Sequence, residues 1–300
     1  KTYGDADSSV SATASSGLPV SFSIVSGPAT ITGSTVHITG AGTVTVRASQ
    51  PGNGNYNAAP DVDQSFEVAK ANQAIVFAPL SDKTYGDSPF TVSATGGGSG
   101  NAVTFNASGN CTSGGPNGSA ITITGAGSCT VTASQTGNAN YNAAPNVSRS
   151  FTINQATATI NVSGYTGVYD GNAHGATGSA TGVNGENLTS LLNLGGTFTN
   201  VPGGTAHWTF SGNANYAPAS GDATITITKA SSTTTVTCPA SVSYSGAALT
   251  PCSVTVTGAN LSLTPAASYA NNTNVGTATA SYSYAGDANH DGSSDSKTFE

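Results

Sequence analysis

Charge is what this sequence has least of. Only 7% of its 300 residues are charged, against roughly 25% in ordinary soluble domains. Lys and Arg together number 7, and the net charge is −7. So few cations cannot neutralise a run of phosphates, which excludes nucleic acid as a partner. No basic amphipathic segment offers itself to a membrane surface. The longest apolar run, Ala74–Leu80, is far too short to span a bilayer, so no membrane insertion is expected in this segment. Methionine is absent, tryptophan occurs once and helix formers are scarce. The chain starts at Lys1 without Met, which reads as a fragment or a processed product.

Catalytic motifs are missing as well. There is no G-x-S-x-G elbow, no H-E-x-x-H and no phosphate loop ending in Gly-Lys. The four histidines, His37, His174, His207 and His290, are scattered, with no shared register. His37 and His207 alternate with inward residues and should face solvent, while His174 lies in a Gly-rich turn. No catalytic residue and no cofactor site follow. Several N-x-S/T sequons occur, at Asn106, Asn146 and Asn187 among others, as chance provides in a chain rich in Asn, Ser and Thr.

What is present is repetition. "KTYGD" occurs at 1–5 and 83–87, and "ITGAGTVTVRASQ" at 38–50 answers "ITGAGSCTVTASQ" at 123–135. "GNGNYNAAP" at 52–60 matches "GNANYNAAP" at 137–145, with looser copies "GNANYAPAS" at 212–220 and "GDANHDGSS" at 286–294. Self-similarity of this kind sets the architecture before any local reading. Four units result: 1–70, 71–155, 156–230 and 231–300. Their joints, "AKANQ" at 69–73, "NQAT" at 154–157 and "TKASS" at 228–232, are short, so neighbouring units should be stiffly coupled and the array rod-like.

Within each unit, Thr- and Val-rich alternation is broken by Gly/Asn turn signals about every ten residues. The expected fold is all-β, a tandem array of small Ig-like β-sandwich domains. Period 2 points Val44, Val46 and Ala48 inward in the first unit, Cys129, Val131 and Ala133 in the second, and Ala206, Trp208 and Phe210 in the third. Leu188, Leu191 and Leu192 fall at helical spacing, with Asn184 as the cap and Glu186 in the first turn, which predicts one short helix in the third repeat. "ANQAIVFAPLSD" at 71–82 should form the first strand of the second unit. The first unit has no such segment, which leaves an edge beside Tyr3–Asp7; either the strand belongs to residues upstream, or a neighbouring copy adds it and builds a head-to-tail filament.

The four cysteines form two local pairs, Cys111 with Cys129 and Cys238 with Cys252, without the spacing of a zinc knuckle. Disulfides between neighbouring strands are expected, and with them an extracellular, oxidising setting.

The Asn-rich corner holds Tyr56, Tyr141, Tyr216 and His290 at one position. Asn tolerates left-handed backbone and bonds neighbouring amides, so the letters satisfy a structural corner in which the ring covers the sandwich end. Asn amides beside a Tyr face also suit a sugar. The fourth copy, "DANHDG" at 287–292, fits the start of a calcium loop, with Asp287, Asn289 and Asp291 supplying oxygens. The register is inherited from the repeat, however, and Thr298 stands where a closing Glu belongs.

The "KTYGD" openings, the "GxGTxTVxAS" strands and the "GNxNYNAAP" corners resemble the MBG/YDG-type and bacterial Ig-like repeats of very large bacterial cell-surface proteins. "YDGNAHGATGSATGVNGENLTSLL" at 169–192 is similar to the YDG/MBG branch. The resemblance implies a stalk, fibre or adhesin segment at the cell surface and carries no catalytic residues. Its partners would be neighbouring domains, identical subunits end to end, or surface glycans and proteins. The competing readings are a carbohydrate- or protein-binding module and an accessory region of a secreted enzyme.

Overall fold

The computed structural model describes residues 1–300, and the chain is almost entirely β. It divides into two compact units, Lys1–Gln155 and Ala156–Glu300. Each unit holds four sheets.

In residues 1–70, one sheet runs Ser8–Ser9, Thr35–Ile38, Ala29–Thr32 and the other runs Ser21–Ser26, Gly42–Ser49, Val62–Val68. Val36 and Ile38 of the first sheet pack against Val44, Val46 and Val68 of the second. Of the inward set expected from period 2, Val44 and Val46 are buried and Ala48 is half-buried. The outward face is polar, with Thr45 and Ser65 hydroxyls bonded across strands and Arg47 bidentate on Asp63.

Residues 71–155 repeat the plan around a larger core. The four-stranded sheet is Lys83–Thr84, Val147–Asn154, Gly127–Ser134, Thr104–Gly109, and the three-stranded one is Cys111–Gly114, Ala120–Ile123, Phe90–Thr91. Cys129, Val131 and Ala133 are wholly buried. A disulfide joins Cys111 to Cys129, so it ties one sheet to the other rather than linking neighbouring strands as expected. The Cys111 side chain points across the sandwich because its strand partner is Ile123, in its own sheet.

The expected first strand at 71–82 is not a regular strand. Ala71 and Val76 each make a single bridge, Val76 to Thr95 and Ala71 to Tyr141. Ile75 and Phe77 are nevertheless buried in the core. The segment inserts side chains between the sheets instead of extending a ladder, and Pro79 has no donor for one.

In the second unit, Thr159–Ser163 pairs with Thr177–Thr181, opposite a sheet ordered Tyr165–Val168, Ala219–Thr228, Gly203–Phe210, Leu192–Asn193. Ala206 and Phe210 are buried, and Trp208 lies half-buried on the same face with its indole over Gly221. The helix expected over 184–194 shrinks to one 3-10 turn, Thr189–Leu191. Asn184 does not cap it, because its amide donates to Glu186 instead. Leu188 alone of the three leucines is buried, and Leu192 already belongs to a strand. A second 3-10 turn, Pro116–Gly118, had no signal in the periodicity.

Residues 231–300 close the chain with the sheets Ser232–Thr237, Ser253–Gly258, Leu261–Leu263 and Ser268–Ala270, Ala278–Tyr284, Ser293–Phe299. Val236, Val254, Ala278, Ala280 and Phe299 form the core. The disulfide Cys238–Cys252 sits one step beyond the Thr237–Ser253 pair, between neighbouring strands as expected.

Candidate functional site

The repeated corner has one geometry in all four copies, and each letter has a cause. The glycine that opens it, Gly52, Gly137, Gly212 or Gly286, lies so close to the carbonyl of the aromatic position that a Cβ would fall 2.4, 2.3, 2.5 or 2.6 Å from that oxygen. No residue with a side chain fits there. The next residue accepts two backbone hydrogen bonds on one side-chain oxygen. Asn53 takes those of Asn55 and Tyr56 at 2.8 and 3.1 Å, and Asn138 those of Asn140 and Tyr141 at 2.8 and 2.9 Å. Asn213 takes those of Asn215 and Tyr216 at 2.8 and 3.0 Å, and Asp287 those of Asn289 and His290, both at 2.7 Å. Asp287 thus does the work of an asparagine.

The aromatic position then meets the chain that enters the repeat. Ala71 bridges Tyr141, Ala156 bridges Tyr216 and Ala230 bridges His290, all parallel. Each alanine donates its amide to the residue before the aromatic and accepts from the residue after it. The distances are 2.9 Å for Ala71 to Asn140 and for Asn142 to Ala71, and 2.9 and 3.0 Å for the Ala156 pair. Both bonds of Ala230 are 2.9 Å.

Within each unit the second corner also grips the repeat before it. The Tyr3 ring meets Tyr141 edge-on at 5.4 Å, and the Tyr169 ring meets His290 edge-on at 5.3 Å. Tyr3 is presented by the Thr2–Asp5 turn, where Gly4 takes a φ of 90° and the Asp5 carboxylate accepts from the Thr2 amide. Asn140 Oδ1 accepts from the Ala41 amide at 3.0 Å, and Asn289 Oδ1 from the Val201 amide at 3.0 Å. Lys70 Nζ donates to the Asn138 carbonyl and Lys229 Nζ to the Asp287 carbonyl. One joint is therefore built twice from the same positions.

The four aromatics differ in burial. Tyr216 is 2% exposed, its hydroxyl donating to Glu186 and accepting from the Val183 amide. The Tyr141 ring lies over Gly98, where a Cβ would collide with it. Tyr56 is 53% exposed. His290 is 3% exposed; its Nε2 faces the Ala259 carbonyl at 2.7 Å and its Nδ1 the Asp287 carboxylate at 2.9 Å. Both partners only accept, so the surroundings favour the doubly protonated ring. Burial alone would lower the His290 pKa, but the Ala259 carbonyl and Asp287 carboxylate outweigh it and raise it. The Asp287 carboxyl is held far below the usual range, chiefly by the Tyr284 hydroxyl and the His290 ring.

Of the calcium-loop candidates Asp287, Asn289 and Asp291, the Asp287 carboxylate and the Asn289 side chain make hydrogen bonds within the chain. Asp287 bonds the Tyr284 hydroxyl, His290 and two amides, and Asn289 spans Asn200 and Val201. The Asp291 carbonyl accepts from Ser232. No group of three or more His, Cys, Asp or Glu side chains converges as a metal set.

A feature the motifs missed is that every histidine faces an aspartate. His37 meets Asp7 at 2.7 Å, His207 meets Asp222 at 2.7 Å across one ladder rung, and His174 meets Asp170 at 2.9 Å. The i,i+4 spacing of Asp170 and His174 and the i,i+3 spacing of Asp287 and His290 were the available hints. The Asn172 amide, then the His174 ring, hold the Asp170 carboxyl down to about 2. None of the four rings bonds a Ser, Thr or Cys side chain.

The edge beside Tyr3–Asp7 is closed by its own chain. Tyr3 donates to Ala69 and Ala69 to Lys1, at 2.9 and 2.8 Å, and Ser8–Ser9 pairs with Thr35–Ile38. Strand addition by a second copy at that edge, and the filament joint built on it, are corrected accordingly.

No family model matches the chain, and no curated protein matches it. Among solved structures it is similar to Drosophila N-cadherin EC1-4, at 10% identity and TM-score 0.25, over 93% of this chain and 91% of that one. It is similar to the protocadherin gammaB7 EC3-6 cis-dimer structure, at 11% identity and TM-score 0.25, over 93% and 92%. Surface layer protein SbsC, domains 1-6, matches at 15% identity and TM-score 0.24 over 93% of this chain and 49% of that one. Overlaps this loose carry no argument about function.

Proposed function

We propose that these 300 residues are a non-catalytic structural spacer of an extracellular fibre, stalk or adhesin, built of β-sandwich domains at 1–70, 71–155, 156–230 and 231–300. One observation carries this reading. The corner spends its Asn, aromatic and Gly residues on clasping backbone, once for the entering chain and once for the preceding repeat. A joint fixed by paired backbone bonds on both sides resists bending, which a spacer needs. The disulfides, which suit an oxidising compartment, and the resemblance to MBG/YDG-type repeats support the same reading.

The test is force spectroscopy on the 300-residue chain held between handles. Four separate unfolding steps are expected, two of them shortened by the disulfide-closed loops and lengthened after reduction. A single unfolding step for the whole chain would sink the reading.

A further inference from the structure

The two joints built from the same positions differ in one ring. Tyr141 holds the corner in the first unit and His290 in the second, each with an edge-on tyrosine from the repeat before it. Only the second joint therefore places an imidazole where two repeats meet. Its Nε2 lies 2.7 Å from the Ala259 carbonyl. Ala259 and Asn260 turn the chain between Ser253–Gly258 and Leu261–Leu263, with Asn260 at a φ of 56°. That turn rests on the third repeat. Ala259 packs on the cluster of Tyr169, Ala206, Ile225 and Ile227, and a Cβ at Gly171 would stand 3.2 Å from the Asn260 side chain. The residue before His290, Asn289, reaches across to the Val201 amide. One ring thus supports both contacts of the joint.

Few ionisable groups surround the ring. The Asp287 carboxylate faces Nδ1 and also takes the Tyr284 hydroxyl. The Lys229 ammonium donates to the Asp287 and His290 carbonyls and opposes a charge on the ring. Asp291 follows His290 in the chain, and the 258–260 turn brings no charge. The third repeat adds the Tyr169 ring, while Asp170 beside it is engaged with His174. A protonated His290 donates to both of its acceptors. A neutral ring has one N–H, so one acceptor is left facing another in a buried place. The carboxylate is the stronger partner and keeps the proton, so the Ala259 contact is the one that fails.

We propose that the joint between the third and fourth repeats is a pH-controlled hinge, locked while His290 carries its second proton and released when the ring loses it. The joint between the first and second repeats has a tyrosine in that place and no imidazole to titrate, so it stays locked. The purpose of the hinge rests on the spacer reading: one joint keeps its stiffness as pH rises and the other yields. The raised His290 pKa sets the window. The lock is complete below about 6.5 and fades as pH climbs through the folded value.

Hydrogen exchange followed by NMR on the 300-residue chain, with a chelator present, tests it. The Val201 amide crosses this joint to Asn289 Oδ1, and the Ala41 amide crosses the other to Asn140 Oδ1, so the two are a matched pair. Corrected for intrinsic rate, Val201 protection should fall about tenfold between about pH 6 and about pH 9, while Ala41 protection holds. The midpoint should coincide with the titration of the His290 ring resonances. Asp287→Asn keeps the acceptor that Asn138 supplies in the second repeat and should fold. It should move the midpoint to lower pH, because no carboxylate then favours the cation. His290→Tyr should abolish the dependence. Equal loss at Val201 and Ala41, an unmoved midpoint in Asp287→Asn, or a dependence that survives His290→Tyr would overturn the proposal. So would a midpoint that shifts when calcium replaces the chelator, since metal ligands would then be titrating. The four unfolding steps under force do not depend on this outcome, so failure of the hinge is distinct from failure of the spacer reading.

Discussion

The Tyr3 ring stands edge-on to the Tyr141 ring, 5.4 Å between centroids, and so joins two repeats that are 138 residues apart at this point in the sequence count (141 less 3). An edge-to-face pair contributes about 0.5–1.5 kcal/mol beyond its buried area. Tyr3→Ala should therefore speed hydrogen exchange at the Ala71 amide, which bonds Asn140 at the same joint. Exchange at Cys129, deep in the second repeat, should barely change. Equal acceleration at both would show that the ring serves the whole sandwich rather than the joint.

Asn138→Ala should cost about 1 kcal/mol, because two amides lose their acceptor. Asn138→Asp should keep both acceptor bonds, as Asp287 does in the fourth copy, and so cost less than Asn138→Ala, losing only the side-chain amide's donation to the Ser99 carbonyl at 3.0 Å. Urea unfolding of both variants checks the pair; a large loss in Asn138→Asp would mean that the amide nitrogen matters too.

The stability of residues 156–300 should depend on pH in two windows. The His290 pKa is raised, so its contribution is complete below the unfolded value of about 6.5 and is lost as pH rises through the folded one. The Asp287 and Asp170 pKa values are lowered, so their contributions hold above about 4 and fade as pH drops toward 2. Thermal melts across pH should flatten above pH 6.5 in His290→Phe while the acid limb from Asp170 persists. An unchanged alkaline limb would assign it to another group.

Thiol titration of unreduced, denatured protein should find no free thiol, as all four cysteines are bonded. Replacing Cys111 and Cys129 together by Ala should cost about 3 kcal/mol, given the short loop closed between them. Calorimetry would reveal a smaller loss if the unfolded chain is already compact.

Phe77→Ala should cost about 3–5 kcal/mol in the second repeat, where the ring fills the space between the sheets. Chemical denaturation followed at a probe in that repeat checks it. A loss under 1 kcal/mol would show that the segment adds little to the core.

Alternation by itself determined the β fold and its faces, because a period of two leaves one choice for Val44, Val46, Cys129, Val131 and Ala206. Repetition marked the copies of one plan, and glycine and asparagine marked the corner, since both are demanded by backbone geometry that is local. Local signals failed where a neighbour decided. The leucines at 188–192 have helical spacing, yet Ala180 takes the Leu188 amide and Phe210 pairs with Leu192, so strands claim them. Cys111 and Cys129 were a pair by count, but their bridging of two sheets depends on which strands share a ladder. The purpose of the corner depended on the tertiary structure alone. Its partners, Ala71, Tyr3 and Ala41, lie 70 or more residues from Tyr141, and no pattern within nine letters records what folds back onto them.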